Sequence, residues 1–283
     1  MRKLGVHTSI AGGLHLSLER AHALGCNTVQ IFSHNPRGWV VKPILEEDAR
    51  KFKLLRNKYN ISPVYIHTSY LINMSSWDRC LRKKSINLLV TEMERADVIG
   101  ADFVVLHTGS ASGRDSGLSR KRAIDSLREV SERGAWRAGL LIENTAGEKG
   151  DISSDNVSLS EILNGVTGTF LSGICIDTCH AFAAGYHIGD EKGIQRFSRE
   201  IEKYIGTSYI KLIHLNDSKG NMGSGIDRHE HIGLGKIGKG LERFVQYKPF
   251  NKIPLILETP KKRESDDVKN LKRVRKMLNQ GSS

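Results

Sequence analysis

The sequence has few cysteines, and they form no recognisable pattern. Among 283 residues there are four, Cys26, Cys80, Cys175 and Cys179, with no CxxC pair and no spacing typical of a disulfide framework. This argues against a disulfide-stabilised secreted domain. We expect reduced thiols that pack as small apolar side chains in a cytoplasmic protein.

Long apolar runs and low-complexity linkers are also lacking. No stretch approaches the roughly 20 apolar residues that a membrane-spanning helix requires. The N-terminus has Arg2 and Lys3 but no apolar segment of a signal peptide. We therefore expect one globular domain over residues 1–280 with a short tail at 281–283. We predict a monomer without membrane association.

Acidic residues are outnumbered by basic ones. The 43 lysines and arginines against 31 aspartates and glutamates give a formal net charge of +12. This balance suits a polyanionic partner, but a merely soluble basic surface is equally compatible with it. The most basic run, 261–263 and then 269–276, lies in a segment with Val268, Leu271, Val274 and Leu278 at near-helical spacing. We interpret this run first as a solvated terminal helix packing one apolar face and second as a DNA contact.

The chain does contain a regular alternation of short β-rich runs and stretches with helical periodicity. Apolar strands separated by helices predict a parallel sheet buried on both faces, and eight such units predict a single-domain α/β fold, the closed (β/α)8 barrel. An open doubly wound sheet is the alternative. The helical candidates include Leu14–Leu24, Leu81–Ile99, Arg120–Trp136 and Glu191–Ile205. The β-rich runs are Leu4–His7, Thr28–Phe32, Pro63–His67, Phe103–His107, Gly139–Glu143, Gly173–Asp177, Tyr209–His214 and Pro254–Glu258.

Seven of these eight runs end on an ionisable residue. A lone histidine after an apolar run is usually a packed core or rim residue. In a barrel, however, all C-terminal strand ends meet on one face, where carboxylates gathered without counter-charge would repel one another. We therefore predict bound cations at the C-terminal ends of the strands. The seven termini are His7, His67, His107, Glu143, Asp177, His214 and Glu258.

Three further candidate ligands follow the strands: His180, and the Asp-x-His pair Asp227 and His229. Imidazole and carboxylate ligands without a thiolate favour Zn, Mn or Fe over Mg or Ca. Nine ligands suffice for two or three ions, which suit phosphodiester hydrolysis because one activates a water and another neutralises the leaving oxygen. The nine are His67, His107, Glu143, Asp177, His180, His214, Asp227, His229 and Glu258.

Two glycine-rich motifs do not predict a function. Gly233–Gly238 fits the GxGxxG pattern of dinucleotide sites, but a polar segment precedes it instead of a strand. Gly109–Gly113 has alanine where a nucleophile elbow requires serine. We expect neither motif to form a site.

Motifs along essentially the whole chain carry a family resemblance. They are His7–Gly13, His67–Asn73, Leu106–Gly109, Ile142–Gly147, Asp177–Tyr186, His214–Lys219, Asp227–His229 with Gly233–Gly235, and Leu257–Pro260. Each motif is weak by itself, but all of them in this order are highly specific. The sequence resembles the endonuclease IV family of zinc-dependent apurinic/apyrimidinic endonucleases.

The resemblance implies a TIM barrel with three zinc ions per chain, Mn or Fe being alternatives at one position. Matched by motif, His67, His107 and Glu143 would bind the first zinc. Glu143 would bridge to the second, which Asp177, His214 and Glu258 would also hold. His180, Asp227 and His229 would bind the third. The remaining histidines, His7 at the rim and His15, His22, His34, His187 and His231, are expected to be packing or surface residues.

The implied reaction is hydrolysis of the phosphodiester 5′ to an abasic site in double-stranded DNA, leaving a 3′-hydroxyl and a 5′-deoxyribose phosphate. Blocked 3′ ends would also be trimmed, and Glu143 would align the zinc-activated hydroxide. Tyr70, Leu71 and Arg37 would insert at the lesion, and Asn35 belongs to the same DNA-binding segment. Gly38 departs from the family, whose members often have a longer polar side chain there that contacts DNA.

A metal-dependent sugar isomerase or epimerase of the same barrel superfamily is the alternative enzyme, since it also binds metals at strand ends. The basic charge, the nine-ligand set and the Tyr70-Leu71 pair disfavour it. A non-catalytic lesion-binding protein is the third hypothesis, and the complete ligand set argues against it.

Overall fold

Eight parallel strands form the centre of the structure, a computed structural model that describes residues 2–166 and 170–279. The predicted (β/α)8 barrel is confirmed, whereas the predicted tail, 281–283, lies outside the described residues. The barrel strands are β1 (Leu4–Val6), β2 (Val29–Phe32), β3 (Val64–His67), β4 (Phe103–Leu106), β5 (Gly139–Glu143), β6 (Leu171–Asp177), β7 (Ile210–His214) and β10 (Leu255–Leu257). Between the last two lies a short antiparallel hairpin of β8 (Asp217–Ser218) and β9 (His229–Glu230).

A glycine permits the barrel to close between its first two strands. A Cβ atom on Gly5 of β1 would overlap the backbone carbonyl oxygen of Thr28, so a larger residue would force the strands apart. An isolated parallel bridge between His7 and Gln30 joins β1 to β2. On its other side β1 pairs in parallel with β10, which makes the ring of strands continuous.

Helices follow the strands and cover the outside of the barrel. The predicted helices near 14–24, 81–99 and 191–205 are confirmed to within two residues. The prediction Arg120–Trp136 was wrong at both ends: α4 starts at Ser116, because the Asp115 carboxylate accepts a hydrogen bond from the Leu118 N–H at 2.7 Å, and it ends at Ser131. The helices are α1 (Leu14–Ala23), α2 (Glu46–Lys58), α3 (Arg79–Ile99), α4 (Ser116–Ser131), α5 (Asn156–Gly165), α6 (Thr178–Ala183), α7 (Glu191–Tyr204), α8 (Gly240–Gln246) and α9 (Ser265–Asn279). Within the described residues, no helix combines the length and apolarity needed to cross a bilayer.

The part of the basic C-terminal run from Lys269 to Lys276 lies in α9, as predicted, and Leu271 and Val274 are buried, whereas Lys261–Arg263 precede the helix. The prediction that Val268 shares this apolar face was wrong, since Val268 is 52% exposed. At about 100° of rotation per residue, Val268 points about 90° away from the mean direction of the other three apolar side chains.

Successive side chains along each strand point to opposite faces of the barrel wall, which separates two apolar layers. Residues such as Ile66, Val104 and Ile142 point outward and pack under the helices. The interior of the barrel is filled by a second cluster, Tyr65, Val105, Leu141, Cys175, Leu212 and Ile256. Because the side-chain direction repeats every two residues, the residues two positions further along also point inward. Those residues are His67, His107, Glu143, Asp177, His214 and Glu258, so the apolar cluster forms the floor beneath them.

Candidate metal centre

The structure brings the nine predicted ligands together at the C-terminal mouth of the barrel. They form three groups, and within each group one ligand atom from every residue lies within 4.8 Å of the others. The groups are His67-His107-Glu143, Glu143-Asp177-His214-Glu258 and His180-Asp227-His229. Their membership agrees with the sets that the family resemblance implies, and their role as metal ligands stays a prediction.

Glu143, at the end of β5, is fully buried and belongs to two of the groups. Its Oε2 lies 3.0 Å from His107 Nε2 and 3.4 Å from His67 Nε2. Its Oε1 lies 2.8 Å from His214 Nδ1. One carboxylate oxygen therefore faces each group, which is the arrangement of a bridging ligand.

Backbone carbonyl groups orient three of the imidazoles. The Nδ1 atom of His67 lies 2.9 Å from the carbonyl oxygen of Thr68, and that of His180 lies 2.9 Å from the oxygen of Asn144. His229 makes the equivalent contact at 3.0 Å with the carbonyl oxygen of Glu258. A carbonyl oxygen only accepts hydrogen bonds, so each Nδ1 donates. In the neutral imidazole that a metal ion binds, the lone pair is therefore on Nε2, which faces the site.

The third group is assembled from segments that follow β6 and β7. Asp177 caps the short helix α6, its carboxylate accepting the His180 N–H at 2.9 Å, and this turn brings His180 back over the mouth. The β8–β9 hairpin brings His229 to 3.4 Å from Asp227 Oδ1. Nε2 of His229 is buried and has no hydrogen-bond partner among the described residues. A buried nitrogen that makes no hydrogen bond and faces carboxylate oxygens suits a metal ligand.

The charges of the site depend strongly on one another. Burial alone would raise the pKa of the Glu143 carboxyl, but the neighbouring imidazoles of His214 and His107 outweigh it and lower this pKa well below 4.5. Burial would likewise lower the pKa of His180, yet the carboxylates of Asp177, Asp227 and Glu143 raise it well above 6.5. In the metal-free protein, protonated imidazoles therefore balance the carboxylates, a role that bound cations would take over.

Two cysteine thiols lie closer to the ligands than the sequence indicated. Cys175 Sγ is grouped with Glu143 and His214, and Cys179 Sγ with Asp177 and His229. Burial raises the pKa of each thiol to about 12. Without a bound metal ion, both sulfur atoms therefore stay protonated at neutral pH.

Sequence reasoning missed three amide side chains that support the ligands: Gln30, Asn144 and Asn216. Asn216 donates from Nδ2 to Asp177 Oδ2 at 2.6 Å and accepts the Glu258 N–H at 2.8 Å. Asn144 and Asn216 follow strand-end ligands within two residues, so their positions in the sequence could have indicated that they lie next to the site. Gln30 lies inside β2 without such a signal.

Two of the predicted DNA-binding residues, Asn35 and Tyr70, line a cavity of about 700 Å³ above the three groups, and Arg37 and Leu71 directly follow lining residues along the chain. Tyr70 is 63% exposed and packs its ring edge-on against Phe32, with centroids 5.2 Å apart. Asn35 and Arg37 are exposed, whereas Leu71 is half-buried. The side chains of this mouth are therefore available to an extended partner.

The expectations for the histidines outside the ligand set and for the glycine motif agree with the structure. His7 lies at the rim, 3.4 Å from Glu258 Oε1, and His34 is buried against Glu92. In the loop 233–238, the buried carboxylate of Asp217 accepts hydrogen bonds from several backbone N–H groups. These donors are occupied internally, so the loop offers no cradle for a phosphate.

Comparison with known proteins gives consistent matches over the whole length. Residues 18–280 match the family model described as "Xylose isomerase-like TIM barrel". "Probable endonuclease 4" of Halothermothrix orenii is 42% identical over 92% of this chain and 94% of its own. The protein of the same name from Methanosphaerula palustris is 40% identical over 98% of both chains.

Solved structures extend this comparison. The crystal structure of endonuclease IV from Thermus thermophilus has a TM-score of 0.87 at 34% identity, covering 98% of this chain and 99% of that one. A D-tagatose 3-epimerase-like protein has a TM-score of 0.73 at 19% identity, covering 99% of this chain and all of the other. The second likeness shows only that the barrel is shared.

Proposed function

The chain belongs to the endonuclease IV family, and on that basis we propose that it is a DNA repair hydrolase acting on abasic sites in double-stranded DNA. It would cleave the phosphodiester 5′ to the lesion, leave a 3′-hydroxyl and a 5′-deoxyribose phosphate, and remove blocked 3′ ends. We propose that it acts as a monomer in the cytoplasm.

The observation that carries this proposal is the position of Glu143 between two groups of ligands, with a third group beside them. The donor set suits zinc, because it consists of five imidazoles and four carboxylates. The buried Nε2 of half-buried His229 makes no hydrogen bond among the described residues and faces the carboxylates of Asp177 and Asp227, which supports a cation at the third group. We propose three zinc ions per chain, with Mn or Fe as alternatives at one position.

Zinc bound at these groups would supply an activated water and neutralise charge on the scissile phosphate. Glu143 would keep the first two groups in a fixed relation, because its carboxylate has a hydrogen-bonding partner on each side and is fully buried. Asp177, held by Asn216, would present Oδ2 between the second and third groups. The protein thereby places all donors before substrate binds, so little reorganisation is needed during reaction.

Binding of damaged DNA is proposed for the loops around the mouth. Tyr70 exposes an aromatic ring next to the cavity, where it would stack against bases flanking the missing one. Leu71 beside it and the exposed side chains of Asn35 and Arg37 would contact the opened duplex. The net charge of +12 favours the phosphate backbone.

A nicking assay tests this function directly. A duplex with one abasic site, an undamaged duplex and a panel of aldoses and ketoses are incubated with zinc-loaded protein. We expect a single nick whose 3′ end a DNA polymerase extends, loss of nicking after zinc is chelated, and recovery when zinc is restored. Sugar turnover without nicking would instead assign the chain to the isomerases and epimerases.

A further inference from the structure

His214 is oriented differently from the three imidazoles held by backbone carbonyl groups. Its Nδ1 faces the site, 2.8 Å from Glu143 Oε1 and 3.2 Å from Glu258 Oε2. Its Nε2 lies 2.7 Å from Oε1 of Gln30. The orientation of this ring therefore depends on a side chain, which a substitution can remove, and not on the backbone.

The contacts of Gln30 allow only one orientation of its amide. The Gln30 Nε2 atom lies 2.6 Å from Glu258 Oε1 and 3.1 Å from His7 Nδ1. A carboxylate accepts hydrogen bonds and cannot donate, so the amide NH₂ faces Glu258 and the carbonyl oxygen faces His214. Nε2 of His214 therefore carries a proton, and in the neutral imidazole that a metal ion binds the lone pair is on Nδ1, which faces the second group of ligands.

Gln30 is fully buried at an interior position of the barrel. An amide in such a place is destabilising unless its oxygen and nitrogen are both hydrogen-bonded. Here the oxygen accepts from His214 and the nitrogen donates to Glu258, so both polar ends are used by two residues of the same group.

We propose that Gln30 is a positioning residue of the metal centre. It selects the Nε2–H tautomer of His214 and holds the Glu258 carboxylate, so that both are directed at the ion of the second group without Gln30 touching that ion. This inference rests on the zinc binding of the proposed function, although its test does not require DNA cleavage.

The test compares zinc-loaded wild-type protein with Gln30→Met, which keeps the length of the side chain and removes both hydrogen-bonding groups. We expect one zinc equivalent to transfer to a chromogenic chelator about 10–100-fold faster in the variant, the range typical when a group that orients a ligand is lost. Nitrogen-15 NMR of the zinc-loaded proteins should show a slowly exchanging Nε2–H of His214 in the wild type and a faster-exchanging one in Gln30→Met, which lacks the acceptor for this proton.

Thr28→Val is the matched control, since Thr28 is also buried and its hydroxyl donates to the Pro63 carbonyl oxygen away from the mouth. It should release zinc at the wild-type rate. Should Gln30→Met not fold, Gln30→Asn withdraws the amide by one methylene and is expected to give the same faster release. Wild-type zinc release and an unchanged exchange rate of the His214 Nε2–H in either folded variant would overturn the role of Gln30. Zinc-loaded wild-type protein that leaves abasic DNA intact would overturn the proposed function alone.

Discussion

The backbone N–H of Tyr70 donates a hydrogen bond to the carbonyl oxygen of Pro36, 3.2 Å away. The hydroxyl of Ser69 donates to the same oxygen at 2.7 Å. These contacts join the loop that carries Arg37 to the loop that carries Tyr70 and Leu71. The two proposed DNA-binding segments therefore form one unit.

Beneath this unit lies the buried carboxylate of Glu92. It accepts hydrogen bonds from the Ser69 N–H at 3.0 Å, the Ser33 hydroxyl at 2.8 Å and His34 Nε2 at 2.9 Å. We predict that Glu92→Gln lowers the free energy of unfolding by about 1–3 kcal/mol, because a buried charge-assisted network loses an acceptor. Urea denaturation measures this change. Glu94→Gln, at an exposed position of the same helix, should be close to neutral, and equal effects of the two variants would refute the role of the network.

Glu143→Gln removes the carboxylate that faces two groups of ligands. We expect nicking of abasic DNA to fall by roughly 1,000-fold or more, since an amide cannot bridge two cations as a carboxylate does, while the circular dichroism spectrum stays that of the wild type. Glu148→Gln, in the exposed loop after β5, is the control and should keep full activity. Substantial cleavage by folded Glu143→Gln would contradict the bridging role.

Tyr70→Ala removes the exposed ring beside the cavity. We predict that the preference for abasic over undamaged duplex falls by about 1–3 kcal/mol, the usual contribution of one stacked aromatic side chain, while the zinc content is unchanged. Competitive binding with the two duplexes gives this number. Tyr209→Ala alters another exposed tyrosine, at the opposite end of β7 from His214, and should leave the preference intact. A Tyr70→Ala protein with wild-type preference would rule out the stacking role.

Gly38 has no structural requirement for glycine. A Cβ atom there would have the Asn35 side chain as its nearest neighbour at 3.6 Å, which is ordinary van der Waals contact. We predict that Gly38→Gln is stable, gaining about 0.4–1 kcal/mol from a less flexible unfolded chain, and binds abasic duplex several-fold more tightly. Fluorescence anisotropy measures the affinity. Weaker binding by the folded variant would show that this loop does not approach DNA.

Zinc removal should make stability depend on pH in a defined direction. In the metal-free protein, burial lowers the pKa values of His67 and His180, but nearby carboxylates raise them more, so that both lie above 6.5. The folding stability that these two histidines contribute is therefore fully present below pH 6.5 and is lost as the pH rises. The lowered pKa of Glu143 adds stability that is present above pH 4.5 and is lost on acidification.

Zinc binding has the opposite dependence on pH, because it requires neutral imidazoles. We therefore expect the increase in Tm caused by zinc to grow between about pH 6 and pH 8. Thermal denaturation with and without zinc across this interval measures it. An increase that stays constant or shrinks with rising pH would contradict the assignment of the histidines as ligands.

The helix boundaries show where local sequence signals suffice. Helix α3 begins within two residues of its prediction, and Asp78 caps it by accepting the Cys80 N–H at 2.7 Å. The end of α4 was predicted five residues too late. Trp136, which was assigned to that helix, packs instead against Phe170, with ring centroids 5.6 Å apart. This contact lies outside α4, and the helical periodicity of the sequence does not reveal it.

The sequence by itself determined the barrel and the set of nine candidate ligands. Each barrel strand is a short apolar run, and side chains alternate with a period of two, so a polar residue at the end of the run points into the mouth. The order of the motifs also identified the family, because each motif shows which side chain stands at the end of which strand.

Only the tertiary structure decided how these side chains support one another. Gln30 and His214 are 184 residues apart, yet they share a hydrogen bond that fixes the ring of His214. The two oxygens of Glu143 face different groups, and Cys175 and Cys179 are buried beside ligands as thiols. These features depend on distances and burial across the closed barrel, which neighbours along the chain do not specify.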